Sequence, residues 1–515
     1  MVQQDSSEFG VRRGGRRRTQ KPDDTHSIAA PAYLTRTIMP YDYLSEEGVV
    51  RIEAEADRLL CEIGMEFRGH EPSLKYLREA GAKVRGELVK FEPGMCREII
   101  QKFAPKSFTQ ISRNSERNVL ISPDTVVFSP LYGAPFVRSM DIERRYSTLE
   151  DFNNFVKLAH MSPSMHHAGG TICEVNDIPV SKRHLDMVYS HLRFSDKPFM
   201  GAVTSGWQAK DSIDMMEIAY GEKVVDENCC ILGLINPTSP MVFDRAPLEA
   251  LHVYSERGQG CIIDPFVIAG VSGPVTPAAI LAQLFAESMA GIALAQLIRP
   301  GTPVILAINS MGINMRTGTP IRFDETWKCV LAIGQLARRL GVPFRCGGAS
   351  TSSKLPDAQA GIESTLYLYN GLLSGSNFFV HGAGALELGL CISYEKFLLD
   401  CELLSSISKM VTEIDCSDDA FAFDEYLEVG PGGNFLATKH TLARYKDAFF
   451  QSNIFDSNSF ENWRDAGAPD AEKRANTAIK KMLEEFEEPP IEGQVIEALE
   501  DFISRRKSEL PDSYA

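Results

Sequence analysis

Ring-bearing side chains recur at one kind of place in this 515-residue chain, just after short apolar runs and next to Gly, Ser, Thr or Pro. They are Tyr132 and Phe136 in "SPLYGAPF", His166 and His167 in "SMHHAGG", Trp207 in "TSGW", and Phe379 and His381 in "SNFFVHGAG". Aromatic faces attract quaternary ammonium groups, so such rings gathered at one end of a fold would suit a methylated amine. Each ring is also an ordinary packing residue; Tyr132 and His381, beside Gly at the ends of their runs, lean furthest toward substrate contact. A second feature is "CGGASTSS", Cys346–Ser353, in which no side chain is larger than Thr. It is either a bland loop or a place where something large approaches the backbone. Glu387, in "GAGALELG", stands just beyond the next apolar run and is a candidate site carboxylate. Glu287, inside the apolar "LFAESMAGIALAQL", reads as a structural carboxylate that needs a partner. Cys346 lacks a second Cys or His at metal-ligand spacing, so no protein-bound metal is expected.

The elements that would position these residues repeat. Short apolar runs start at residues 125, 164, 198, 230, 261, 303, 342 and 376, and each is followed by an amphipathic or apolar stretch of helical length. Eight such units over about 290 residues predict a (β/α)8 barrel rather than a doubly wound sheet. In that fold the active site lies at the C-terminal ends of the strands. Those ends read "SPLYGAPF", "HHAGGTI", "AVTSGW", "NPTSPM", "AGVSGP", "NSMGIN", "CGGAST" and "HGAGALE", so the whole mouth is expected to be lined with small residues.

The expected organisation is a flexible Arg/Gly-rich arm over 1–30, an N-terminal helical region over 31–118, the barrel over 119–412 and an acidic helical extension over 413–515 that packs or forms oligomers. A net charge of −16 argues against nucleic-acid binding, which rests on Lys and Arg at phosphates. The 11 Cys form no C-x-x-C pair and read as reduced cytoplasmic thiols. No apolar run is expected to reach the ~18–20 residues of a membrane helix. P-loop, G-x-G-x-x-G, H-E-x-x-H and G-x-S-x-G motifs are all missing from the sequence.

The stretches "FRCGGASTSSKLPDAQAGIEST", "GSNFFVHGAGALELGLCISYEKFLLD", "NPTSP", "ESMAGIALAQLIRPGTPV" and "GPGGNFLATKHTLARYKDAFF" resemble the trimethylamine:corrinoid methyltransferase superfamily. The most specific piece is Lys354–Gly361, Lys-x-Pro-Asp-x-Gln-Ala-Gly. The resemblance spans nearly the whole chain and implies a (β/α)8 barrel that moves a methyl group to a Co(I) corrinoid carried by a small partner protein. Archaeal trimethylamine enzymes of the family carry pyrrolysine in this loop; here the matching position falls at Ala349. The chain therefore resembles the group without pyrrolysine, whose members demethylate quaternary amines such as glycine betaine. Trimethylamine or another methylamine stays open as a substrate, as does a non-catalytic betaine-binding barrel. On this reading Tyr132, Phe136, His167, Phe379 and His381 bind substrate. Gly348, Ala349 and Glu387 form the catalytic floor, Gly347, Ser350 and Thr351 face the corrinoid, and the enzyme is a homo-oligomer.

Overall fold

Eight short segments lie side by side, all parallel, and hydrogen bonds trace the ring they form. The computed structural model describes residues 31–321, 327–446 and 448–513; the arm expected over 1–30 lies outside the described residues. In chain order the staves are Thr125–Phe128, residues 166–169, residues 198–201, Leu232–Ile235, Gly260–Ile263, Val304–Ala307, Phe344–Gly347 and Phe378–Val380. Parallel ladders join the fourth to the fifth, and so on round to the eighth, which pairs with the first. The two briefest staves close the remaining gap. Met200 bridges Leu232, Met200 N donates to Gly169 O at 2.7 Å, and His166 N donates to Phe128 O at 3.1 Å. This is the (β/α)8 barrel that the repeating pattern predicts.

Most staves are apolar on both faces because both are buried, the usual condition of a parallel sheet wrapped in helices; His166, His167 and Arg345 are the polar exceptions. Val127, Leu232, Ile262, Ile305 and Phe378 point inward and pack on one another. Phe128, Ile263, Phe344 and Phe379 point outward into the helix layer. With α1 at Glu46–Arg58, the helices that follow the staves are α2 Leu149–Met161, α3 Arg183–Phe194, α4 Gly206–Tyr220, α5 Arg245–Glu256, α6 Pro277–Ile298, α7 Trp327–Leu340, α8 Ala358–Leu373 and α9 Tyr394–Ser408. Helix α6 corrects one expectation: its 22 residues are long and apolar enough to cross a membrane. It is apolar all round because it is sandwiched between the barrel wall and the N-terminal helices, with 89% of its apolar window buried.

A hairpin of Phe108–Gln110 and Val119–Ile121 stoppers the barrel at the N-terminal ends of the staves. Val119 and Ile121 join the inner apolar cluster, and Gln110 Nε2 donates to Phe199 O at 2.9 Å and to Cys230 O at 3.3 Å. The region 31–118 is not purely helical. Met65–Phe67, Lys83–Arg85 and Leu88–Lys90 form a small sheet, extended by Val242–Phe243 from the loop after the fourth stave. That shared sheet ties the region to the barrel, and the described residues from Pro31 onward form one compact unit. Beyond the barrel, α10 (Ala471–Glu484) packs on α2 and α9, and α11 (Gly493–Glu509) packs on α3 and α4.

Candidate active site at the barrel mouth

The seventh stave alternates sharply. Phe344 and Cys346 face the helices; Arg345 and Gly347 face the barrel axis. Cys346 and Phe379 both press on α8, where a Cβ added to Gly371 would stand 2.7 Å from Cys346 Sγ and 2.4 Å from the Phe379 ring. At Gly347, by contrast, an added Cβ would meet nothing within 4 Å. Open space therefore begins at Gly347, one inward position above Arg345.

Arg345 has no exposed surface at all. Its Nη1 donates to Asp264 Oδ1 at 3.0 Å and to Ile308 O at 3.2 Å. Asp264, at the end of the fifth stave, is steadied by Asn236 Nδ2, which donates to its backbone oxygen at 2.7 Å. Burial pushes the Asp264 carboxyl up, and the adjacent guanidinium pulls it back down. Among the described residues, Arg345 Nε and Nη2 have no hydrogen-bond partner. Two buried guanidinium donors without acceptors are costly, and they form the planar fork that carboxylates fit.

Tyr132 and His381 stand on neighbouring stave ends. The ladder between the eighth and first staves continues upward: Ser129 N donates to Phe379 O at 2.9 Å, His381 N to Pro130 O at 3.0 Å and Leu131 N to Ala383 O at 3.0 Å. The Tyr132 ring lies across Gly170, where an added Cβ would be 2.7 Å from Cε2. The same ring packs against the inner apolar cluster. Burial pushes its hydroxyl up to about 12, partly offset by a hydrogen bond with Thr171. His381 is half-buried and has φ +66°. Non-glycine residues hold that left-handed conformation only where the surroundings fix it, often at functional sites.

The other expected site residues are placed elsewhere. Gly348 is small because backbones touch there: an added Cβ would lie 2.5 Å from His381 O. Ala349 is fully buried in the outer core, and its carbonyl accepts from Ser364 Oγ at 3.1 Å and Lys396 Nζ at 3.4 Å. Thr351 turns back to α8, donating to Glu363 Oε2 at 2.7 Å, and Ser350 is buried. Of Gly347 to Thr351, Gly347 is the one beside open space, so the small-residue run serves close packing more than clearance. Phe379 faces outward. Phe136 has both faces occupied, with Tyr146 stacked 4.7 Å away and the Arg144 guanidinium 3.6 Å from its centroid. Arg144 Nε also donates to both Glu387 oxygens, at 2.9 and 3.1 Å, so that carboxylate is engaged in an ion pair. His167 is fully buried, edge-on to Phe378, with Nδ1 accepting from Gly169 N at 3.0 Å. His166 stacks on Phe128 instead. Glu287 is structural, accepting from Ser239 Oγ, Met241 N and Gln283 Nε2.

A small side cavity of about 50 Å³ opens beside Tyr132, lined also by Thr171, Glu174, Arg183, His184 and Gln208. Its charges pair internally, Glu174 with Arg183 at 2.5 Å and His184 with Asp211 at 3.0 Å. His184 Nδ1 and His191 Nδ1 in its wall have no hydrogen-bond partner, but a neutral ring nitrogen leaves a smaller debt than the two charged donors of Arg345. Sequence reasoning passed over Arg345 and Asp264, although each is a lone charge in an apolar strand, "VPFRCGG" and "CIIDPFVIAG".

Comparisons with known proteins agree with this architecture. In structure the chain is similar to the hydroxylamine complex of MtmB, with a TM-score of 0.51 over 86% of this chain and 88% of that one, at 10% sequence identity. In sequence it is 40% identical over 475 residues to a glycine betaine methyltransferase from Desulfitobacterium hafniense, covering 91% of this chain and 98% of that protein. It is 29% identical over 482 residues to a proline betaine:corrinoid methyltransferase from Eubacterium limosum, covering 88% and 95%. A trimethylamine methyltransferase from D. hafniense is 26% identical, covering 90% and 94%. The profile of the family described as trimethylamine methyltransferase (MTTB) matches residues 12–511, and the chain belongs to that family.

Proposed function

We propose that this protein is a methyltransferase that takes a methyl group from a zwitterionic quaternary amine, glycine betaine or a close analogue, and passes it to the corrinoid of a partner protein. The observation that carries the reading is the pair of unpartnered donors on Arg345, buried beneath open space at Gly347. A carboxylate would satisfy both donors at once; trimethylamine has none to offer. Arg345 and Asp264 together carry no net charge, which suits a zwitterion better than a cation. A betaine seated by its carboxylate on Arg345 would point its trimethylammonium up the axis toward the stave ends that carry Tyr132 and His381, ring types that attract such a group.

The corrinoid, when present, supplies the Co(I) nucleophile that accepts the methyl group. The mouth suits such a visitor in one respect: beyond the Gly347 Cα the space is open. The chain's own work is to orient the substrate and exclude water. The leaving group is a neutral tertiary amine, so no general acid is required, in keeping with a mouth whose Glu387 is held by Arg144. The same reading expects a small corrinoid-binding carrier, a homo-oligomeric enzyme and a cytoplasmic setting.

The test is methylcobalamin formation from Co(I) cobalamin with glycine betaine, proline betaine, choline and trimethylamine as donors. Transfer from the carboxylated donors, with dimethylglycine as the product from glycine betaine, is the expected result. A preference for choline or trimethylamine would overturn it, and tight betaine binding without any transfer would favour a binding protein.

A further inference from the structure

His166 and His167 face opposite ways on the second stave. His166 stacks on Phe128 in the helix-facing layer, while His167 meets the inward Phe378 edge-on, with 5.1 Å between ring centres. Phe378 is also the ladder partner of Arg345, so Arg345 and His167 flank it on the inner wall. His167 has no exposed surface, and burial, with the His191 ring as a smaller influence, holds its imidazole well below the usual histidine range. The ring is therefore neutral and carries one proton. Gly169 N donates to Nδ1 at 3.0 Å, which leaves that proton on Nε2. The Nε2–H has no acceptor among the described residues. Ser129 is a second case. Phe128 points outward, so alternation turns Ser129 inward, beside Val380 of the inner cluster. Val380 pairs with Gly347, where open space begins. The Ser129 hydroxyl is buried and unpartnered too.

From the seventh stave round to the second, the inner wall thus holds four unpartnered polar atoms, and all four can donate: Arg345 Nε and Nη2, His167 Nε2 and Ser129 Oγ. Apolar Val127, Phe378 and Val380 lie between them. Buried donors without acceptors are costly, so four on one arc of wall require an occupant rich in acceptors. An ionised carboxylate accepts at about four lone-pair sites and donates at none. A bare methylamine offers no such acceptors. Resting on the function proposed above, we propose that His167 and Ser129 form the second half of the carboxylate seat, His167 Nε2–H and the Ser129 hydroxyl donating to the substrate carboxylate that Arg345 holds from the other side. The imidazole then serves the carboxylate end of the substrate, not the ammonium end that a ring would ordinarily attract. As a neutral donor it adds no charge to the Arg345–Asp264 pair, so the seated zwitterion meets a site of balanced charge.

The test is calorimetric titration of the full chain with glycine betaine, without carrier, alongside thermal melting. His167→Asn keeps an acceptor for Gly169 N and removes the inward donor. His167→Gln places an amide N–H near the position of Nε2 and gives up the Gly169 bond. The seat predicts that His167→Asn melts near wild type yet binds betaine ~10–100-fold more weakly, that His167→Gln binds within ~5-fold of wild type, and that Ser129→Ala loses ~3–10-fold. The reverse order, with binding kept in His167→Asn and lost in His167→Gln, shows that His167 only props the Gly169 turn and overturns the proposal. So does betaine binding that Arg345→Met abolishes but His167→Asn leaves within about twofold; the function proposed above then stands without this half of the seat. A wild type that binds no glycine betaine overturns both. Should the His167 variants not fold, Ser129→Ala, which trims only an unbonded hydroxyl, decides: weakened betaine binding supports the four-donor seat, and unchanged affinity overturns it.

Discussion

Replacing Arg345 by Met separates what the guanidinium does for the fold from what it does for the substrate. Asp264 is about 3% exposed and its carboxyl is already raised by burial, so removing the cation strands an acidic group inside the barrel. Breaking one side of a buried pair costs about 3–5 kcal/mol. The double variant Arg345→Met, Asp264→Leu removes both charges, and stability should return to within about 1 kcal/mol of wild type. Binding should not return with it. Two charge-assisted hydrogen bonds to a carboxylate are worth about 1.5–3 kcal/mol each, so kcat/KM for glycine betaine should fall by roughly 10²–10⁴ in single and double variants alike. Urea denaturation gives the first quantity and methylcobalamin formation the second. If the double variant is stable and retains kcat/KM within threefold of wild type, Arg345 is a structural ion-pair partner and the carboxylate argument fails.

Three further outcomes follow from the same geometry. Gly347→Val fills open space and should leave thermal stability nearly unchanged while methyl transfer drops at least ~10-fold, whereas Ala349→Phe, in a packed site, should cost about 1–3 kcal/mol; equal stability loss in the two would show that the mouth is not where Gly347 points. Tyr132→Ala and His381→Asn, the latter tolerant of positive φ, should each raise KM for betaine by roughly 5–30-fold, as expected for about 1–2 kcal/mol of cation–ring attraction; unchanged KM in both removes them from the site. Burial raises the Asp400 carboxyl from 3.8 to about 6, against the pull of Lys396. The fold thus holds that proton more tightly than the unfolded chain does, and this group's contribution, full below about pH 4, is lost as pH climbs through about 6. Wild type should lose about 2 kcal/mol relative to Asp400→Asn between about pH 4 and pH 7; a flat difference in unfolding free energy would contradict that assignment.

The barrel was legible because eight apolar runs, each followed by a helix-length stretch, leave few alternatives, and the mouth positions of Tyr132 and His381 follow from the ends of those runs. Orientation was not legible. A stave buried on both faces has no polar alternation to mark its inward side, so Phe378 and Phe379 look alike in sequence while one faces the axis and the other faces α8. The run Cys346–Ser353 suffered the same ambiguity, since small residues suit an open mouth and a tight backbone contact equally well, and at Gly348 the contact decides. Arg345 and Asp264 come from staves that are not neighbours, and only closure of the ring brings them together. Phe136 failed for a different reason: Arg144, eight residues on in a separate strand turn, covers it.

Among the described residues, the hairpin closes the lower end of the barrel and leaves the mouth as the way in along the axis. A small molecule seated on Arg345 must enter and leave through the opening that the methyl acceptor has to cover. Under the function proposed above, visitors sharing one door depart in the reverse of their order of arrival, which predicts an ordered turnover: amine in first, carrier docked over it, carrier away, spent amine out last. Carrier that docks on an empty barrel bars the way, and an excess of it should slow the enzyme rather than drive it faster.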